Sequence, residues 1–319
     1  MFGKHLEKDG FLERRITEYL QEDRKMGKRF RQMLAERQKK INSLVCVGLD
    51  PLEEKIPECI HSGETWDRIA SHMKEIIKAT AKYACMFKPQ VAHYEAIYKG
   101  RKALQSIVEF IHSEYPDIPV FLDCKRGDID RTQKQYRIAH FEIDGVDGMN
   151  FNPYMGKDCM EQLVDKNHPG RAIVGLCYTS NKSAREIQDV LLYDKVPLWE
   201  YVAGVILKWA EELGVVENAG LVMAAAYEIT KGSGKIYSEH LTVCRRIVGD
   251  KLWFLIPGVG TQKGAVPETV KAAFRGPGSI AINSSSGIIF ASSGEDFAEA
   301  ARKEARKLAE QIRESGGSV

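Results

Sequence analysis

The sequence predicts an α/β protein, a (β/α)8 TIM barrel with an N-terminal helical extension. Three observations predict it. From Leu44 onward, short apolar runs alternate with amphipathic stretches, the pattern of repeated strand-then-helix units. The alternation goes through eight cycles, more strands than a doubly wound open sheet, the next-best reading, would normally use over this length. Polar residues also collect at the ends of nearly all the apolar runs, as they do where the carboxyl ends of barrel strands form a site.

Taken in order, residues 1–40 are charged and free of proline, with Leu6, Ile16, Leu20, Phe30, Met33 and Leu34 at broadly helical spacing. They predict one or two amphipathic helices packed on the body or on a partner. Acidic residues mixed throughout, and no aromatic interleaving, argue against a nucleic-acid arm. Residues 41–319 form the barrel domain, with strands expected over 45–50, 84–88, 120–125, 148–152, 172–177, 220–225, 253–257 and 279–283. Helical patterns lie over 66–82, 101–114, 131–142, 156–167, 197–214, 239–249, 267–274 and 295–313. The connection over 180–196 is long and polar for a strand-to-helix loop and predicts a lid or a disordered segment. Gly232, Gly234 and Lys235 suggest a P-loop, but that motif needs glycine at 229 and a hydroxyl at 236, where Ile229 and Ile236 stand.

The 46 basic residues nearly balance the 44 acidic ones, so no global field argues for nucleic acid or an acidic membrane as partner. Any anion must be bound locally. Seven cysteines are an odd number, with no C-x-x-C pair, and Cys46, Cys85, Cys124 and Cys177 sit in apolar runs. They read as buried hydrophobes in a reducing compartment, with no disulfide framework or zinc spacing. No run approaches ~18 uninterrupted apolar residues and no signal-peptide core is apparent, so a cytoplasmic location is expected.

The chemistry concentrates in the stretch from Phe121 to Thr132. An apolar strand there turns charged at its end, and residues two apart share a face, so Asp123 and Lys125 should point together with Cys124 opposite. Asp128 falls beyond the strand, and Thr132 in the first turn of the next helix. D-x-K-x-x-D alone could be a surface ion-pair cluster. Its place as third of eight strands makes it part of a barrel mouth, together with Asp50 after strand one and Lys88 at the end of strand two. Lys88, Asp123, Lys125 and Asp128 then read as a mutually neutralising catalytic array. Phosphate is expected after strands seven and eight, where backbone N–H groups converge. Gly258 and Gly260 permit close backbone approach, Gln262 can donate, and the serine run through Ser286 adds hydroxyls.

V-G-L-D-P, F-K-P-Q, L-D-C-K-R-G-D-I-D-R-T, N-P-Y-M-G, T-S-N and I-P-G-V-G-T-Q occur in this order between residues 44 and 312. As a set they resemble the orotidine 5′-monophosphate decarboxylases, in particular the longer bacterial-type branch. The resemblance implies a homodimer of barrels with shared active sites, no cofactor and no metal. It also implies that Asp50 binds a ribose hydroxyl, that Lys88 links ribose to the charged array, and that Asp123 and Lys125 flank the reacting carbon. Asp128 and Thr132 would reach into the neighbouring subunit's site, Ser180 would contact the pyrimidine amide, and Gln262 would bind phosphate.

Loss of CO2 from C6 of orotate leaves an electron pair that simple ring conjugation does not absorb. A fixed cation in a water-poor site is the remaining stabiliser, and Lys125 is the residue expected to supply it and then to protonate C6. Asp123 would either repel the departing carboxylate or only hold Lys125 in place. One departure stands out. The family generally carries an arginine where this chain has Ser286, which offers no bidentate charged contact, and Lys263 is expected to replace part of that charge. Two alternatives remain: a metal-dependent phosphosugar decarboxylase or aldolase on a related barrel, and a non-catalytic nucleotide-binding barrel. The former places a metal-binding carboxylate where this chain has Lys88, a poor metal neighbour. The latter has no need of four charges held together.

Overall fold

Eight parallel strands occupy the apolar runs: β1 Val45–Leu49, β2 Ala84–Pro89, β3 Phe121–Arg126, β4 Gly148–Phe151, β5 Ala172–Tyr178, β6 Ala219–Met223, β7 Trp253–Ile256 and β8 Ile280–Ser284. The computed structural model describes residues 29–165, 168–230, 232–259 and 265–319. The hydrogen-bonded order is β2-β1-β8-β7-β6-β5-β4-β3. Parallel bridges Phe87–Val120 and Gln90–Asp123 join its two edges and close the barrel. Continuously buried strands such as VCVGL in β1 and WFLI in β7 are what a sheet covered on both faces requires.

Between the strands run α1 Phe30–Ile41, α2 Thr65–Thr80, α3 Val91–Glu95, α4 Gly100–Glu114, α5 Asp130–Arg137, α6 Asp158–Glu161, α7 Arg185–Gln188, α8 Leu198–Glu212, α9 Glu239–Val248, α10 Val266–Ala273, α11 Ser286–Ile289 and α12 Phe297–Glu314. Their apolar stripes pack on the outer faces of the strands. The inward faces form a separate cluster that includes Cys46, Met86, Phe121, Val174, Val222, Trp253 and Leu255. Gly220 makes room there, since a Cβ at that position would stand 2.8 Å from the Trp253 indole nitrogen. Among the described residues no helix is long and apolar enough to cross a membrane. All seven cysteines are free and all but Cys59 are buried.

The floor of the barrel is closed by α1. Phe30 and Leu34 are fully buried in the inner cluster, and the Phe30 ring stacks on Trp253 at 5.3 Å and meets Phe121 edge-on at 6.0 Å. Arg31 donates to the carbonyls of Gly278, Lys251 and Asp250, and Gln38 pairs with Ile280 and Gly278. Asn42 ends the helix in the left-handed conformation, φ 49°. The expectation for residues 1–28 lies outside the described residues.

Three local expectations are refined. The helix expected over 131–142 is α-helical only to Arg137 and continues as a π-helix over Ile138–Ile143. Among the described residues of the pattern over 156–167, only Asp158–Glu161 is α-helix, and Asp165 and His168 hydrogen-bond at 2.8 Å ahead of Pro169 and Gly170. The glycine-rich stretch at 232–235 belongs to a hairpin whose strands are Tyr227–Glu228 and Ile236–Tyr237. The Glu228 carboxylate accepts from the Gly232 and Gly234 N–H groups at 2.8 and 2.6 Å, so these donors are engaged within the hairpin rather than offered to a phosphate.

Candidate active site

Alternation along the strands carries chemistry to one end of the barrel interior. Met86 is in the inner cluster, so Lys88 two residues on shares its face, and Phe121 does the same for Asp123. Lys88 is 3% exposed. Its Nζ donates to Asp123 Oδ2 at 3.1 Å and lies 3.9 Å from Asp50 Oδ1. Lys125 Nζ donates to Asp123 Oδ1 at 2.6 Å, with its side chain 47% exposed at the mouth. Asp123 thus sits between two ammonium groups, one sealed in and one facing the opening.

These charges stabilise each other against burial. Burial pushes the Asp123 carboxyl up, but Lys88, Lys125 and the hydrogen bonds from Lys125 and Asn150 outweigh it and hold the group well below the usual carboxylate range. Burial likewise pulls Lys88 down, and Asp123 and Asp50 more than offset it, so the ammonium is retained. Breaking such a buried set by removing one partner leaves an uncompensated charge, worth about 3–5 kcal/mol in typical cases.

The backbone at this point is bent rather than regular. β3 and β4 pair at Leu122–Met149 and again at Arg126–Phe151, so the run from Asp123 to Lys125 bulges out of the ladder. Lys125 has φ 47°, in the left-handed region, which costs a non-glycine residue about 1–2 kcal/mol. Asn150, on β4 and 1% exposed, meets the bulge. Its Oδ1 accepts from the Cys124 and Lys125 N–H groups at 2.8 and 2.7 Å, and its Nδ2 donates to Asp123 Oδ1 at 2.7 Å. Sequence reasoning passed over Asn150. The available signal was an amide inside an apolar strand, where asparagine is depleted unless its polar atoms are paired.

Beyond Lys125, the Arg126 Nε–H donates to His140 Nε2 at 3.2 Å, and His140 Nδ1 pairs with Asp144 Oδ2 at 2.9 Å. These bonds tie the π-helix that carries His140 to the end of β3. Arg126 also pairs with Glu95 and lies 4.7 Å from the centre of the Tyr136 ring.

The remaining predicted residues fall around the same mouth. Asp50 directly follows β1, and its Oδ1 is buried with no hydrogen-bond partner among the described residues. Gly48, just before it, is required by close approach: a Cβ there would stand 1.8 Å from Ser285 Oγ. Ser286 is exposed at the first residue of α11, after β8. Ser180 is exposed after β5, in a loop anchored at its foot: Thr179 N–H donates to Gln188 Oε1 at 2.8 Å, Gln188 returns a bond to Thr179 Oγ1 at 2.9 Å, and Arg185 lies 4.4 Å from the centre of the Tyr227 ring. Asp128 is half-buried and accepts from the Ile129 N–H at 2.8 Å, while Thr132 is exposed on α5. Neither is hydrogen-bonded to the Lys88–Asp123–Lys125 set of its own chain. Gly258 has φ 103°, the conformation its glycine permits. Gly260, Gln262 and Lys263 lie outside the described residues.

Among the described residues no group of three or more His, Cys, Asp or Glu side chains could hold a metal ion. The Asp50 and Asp123 carboxylates that might otherwise share a cation already share Lys88.

Comparison with known proteins gives a consistent result. The family model for the orotidine 5′-phosphate decarboxylase / HUMPS family matches residues 43–303. Over 284 residues the chain is 38% identical to an orotidine 5′-phosphate decarboxylase of Cupriavidus metallidurans, covering 89% of this chain and 97% of that one. The corresponding enzyme of Cellvibrio japonicus is 36% identical over 272 residues, covering 85% and 93%. Among solved structures, a putative orotidine-monophosphate decarboxylase from Toxoplasma gondii superposes with a TM-score of 0.75 at 28% identity, covering 90% of this chain and 97% of that one.

Proposed function

The chain belongs to the orotidine 5′-phosphate decarboxylase / HUMPS family and is a carbon–carbon lyase that decarboxylates orotidine 5′-monophosphate, and we propose that it does so with Lys125 as the stabilising cation and proton donor. The observation that carries this mechanism is the Lys88–Asp123–Lys125 set, in which the carboxylate bonds a buried ammonium at 3.1 Å and one at the mouth at 2.6 Å. The product is uridine 5′-monophosphate, so the reaction is a step of pyrimidine nucleotide biosynthesis.

The bond from C6 to the carboxylate breaks, CO2 leaves, and the electron pair stays on C6. The Lys125 ammonium stabilises that pair, then transfers a proton to it, and the neutral amine regains a proton from solvent. A cation already fixed by Asp123 needs no reorganisation as charge develops, which is where most of the stabilisation of such transition states lies. Lys88 holds Asp123 ionised from the interior side.

Asp50 receives a ribose hydroxyl, a role supported by its buried Oδ1, which accepts no hydrogen bond among the described residues. Ser180 contacts the pyrimidine amide. Phosphate lies after β7 and β8, with Gly260, Gln262 and Ser286 as contacts and Lys263 supplying charge that Ser286 lacks. Asp128 and Thr132 serve the neighbouring subunit of a homodimer. That neither is hydrogen-bonded to its own array supports this, as do the exposed Tyr98, Ile129, Tyr154 and Met155 in the loops after β2, β3 and β4. No cofactor enters the reaction, and neither nucleic acid nor membrane is a partner; the enzyme works in the cytoplasm.

The test is the loss of orotidine monophosphate absorbance with purified protein in EDTA. Wild-type enzyme is expected to turn over at full rate, and Lys125→Ala to lose at least about a thousand-fold in kcat, the scale at which such electrostatic groups act. Dependence on added Mg2+ would favour the metal-dependent phosphosugar lyases instead. A Lys125→Ala enzyme at wild-type rate would refute the assignment of the cation.

A further inference from the structure

We propose that Asn150 is a positioning residue for the reaction: its single carboxamide sets both the bulged backbone of Lys125 and the orientation of the Asp123 carboxylate. The inference rests on the decarboxylase reading above and adds a residue to it. β3 leaves its ladder with β4 between Leu122 and Arg126, which strips the N–H groups of Cys124 and Lys125 of strand partners. A buried N–H without an acceptor costs about 1–3 kcal/mol. Both are instead received by Asn150 Oδ1, at 2.8 and 2.7 Å. That oxygen therefore holds in place the left-handed turn, φ 47°, that directs Lys125.

The other end of the same amide acts on the carboxylate. Nδ2 donates at 2.7 Å to Asp123 Oδ1, the oxygen that also accepts from Lys125 Nζ at 2.6 Å. Which way the amide points is decided by its surroundings: two N–H donors on one side demand the oxygen, and a carboxylate on the other demands the nitrogen. No other uncharged side chain has this combination at this reach. Aspartate would face Asp123 with a second negative charge, and alanine would leave both N–H groups orphaned. The ionisable groups facing the amide are Asp123 and Lys125 on β3, with Lys88 at the end of β2 and Asp50 after β1 beyond them.

Asn150 is 1% exposed and its amide is engaged by the protein's own groups, so its removal should displace the reacting cation without weakening the contacts that hold the nucleotide. Displacement of a catalytic group by about 1 Å costs on the order of a hundred-fold. Asn150→Ala and the isosteric Asn150→Asp are compared with wild type for kcat and KM on orotidine monophosphate, with circular dichroism to check the fold. Both variants are expected to lose about a hundred-fold in kcat at neutral pH, with KM changed by less than about threefold. On acidification the Asn150→Asp enzyme should recover relative to wild type, because its protonated carboxyl again donates to Asp123. A structural role alone would not give that recovery. If Asn150→Ala does not fold, the isostere carries the test. An Asn150→Asp enzyme with wild-type kcat, or one whose deficit stays constant with pH, would overturn the inference while an active wild type leaves the decarboxylase reading standing; an inactive wild type would remove both.

Discussion

His72 on α2 is buried against the Phe297 ring at 5.1 Å, with neither ring nitrogen hydrogen-bonded among the described residues. Burial lowers its pKa from 6.5 to about 4. The unfolded chain takes up this proton below about pH 6.5 and the folded chain only below about pH 4, so between these values the unfolded state binds more protons and stability falls as pH falls. The loss from this one residue is about 2 kcal/mol at pH 5 and about 3 kcal/mol at pH 4, where it levels off. His240 is lowered to about 4 for the same reason, although its Nε2 bonds the Ala224 carbonyl at 2.8 Å, and it acts in the same direction. His72→Leu should therefore keep its stability near neutrality and lose less than wild type on acidification. Urea unfolding at pH 7.5 and pH 5 reads the difference; equal losses in the two proteins would show that His72 is not the group responsible. The same burial logic runs the other way at Asp123, where two ammonium groups and the Asn150 amide keep a carboxylate charged inside the barrel.

Elements show where sequence was sufficient and where it was not. Strand positions were legible because a strand buried on both faces is an apolar run, and the two-residue period placed Asp123 and Lys125 together, although a bulge rather than regular alternation directs Lys125. The bulge that sets Lys125 was not legible. It depends on the register between β3 and β4 and on a side chain 25 residues away on the neighbouring strand, and no local pattern encodes such a pairing. The floor helix α1 was visible as an amphipathic segment, but its stripe does not say which surface it covers; only the Phe30 stack on Trp253 fixes that. The loop after β8 is where the sequence makes its clearest unmet demand, because Ser286 stands where the resemblance implies a phosphate-clamping arginine. If Lys263 supplies the missing charge, Lys263→Ala should lower kcat/KM by about ten- to a hundred-fold, the worth of one charge-assisted hydrogen bond. Part of the fall should appear in kcat, since binding energy at a remote phosphate is used to assemble the reacting centre. Steady-state kinetics on the nucleotide decide it, and unchanged kcat/KM would leave the phosphate charge to be sought elsewhere.

At the scale of the whole molecule, the D-x-K-x-x-D motif divides at the end of β3. Asp123 and Lys125 are bonded to each other inside one barrel mouth, whereas Asp128 turns back onto the Ile129 N–H and Thr132 faces outward. If the motif serves two sites, as proposed, a symmetry consequence follows, because in a two-fold dimer each subunit gives and receives the same residues. Lys125→Ala and Asp128→Ala homodimers should each be nearly inactive, one lacking the cation and the other the partner's carboxylate. A heterodimer of the two contains one site with neither residue and one site with both. Coexpression at equal levels places half of the dimers in the mixed form, so activity should return to about a quarter of wild type per subunit. If Asp128 instead served its own subunit, the mixed dimer would hold no intact site and no activity would return. The measurement needs only the two variants, their mixture and the absorbance assay, and it separates a shared site from a self-contained one without requiring a monomer that folds.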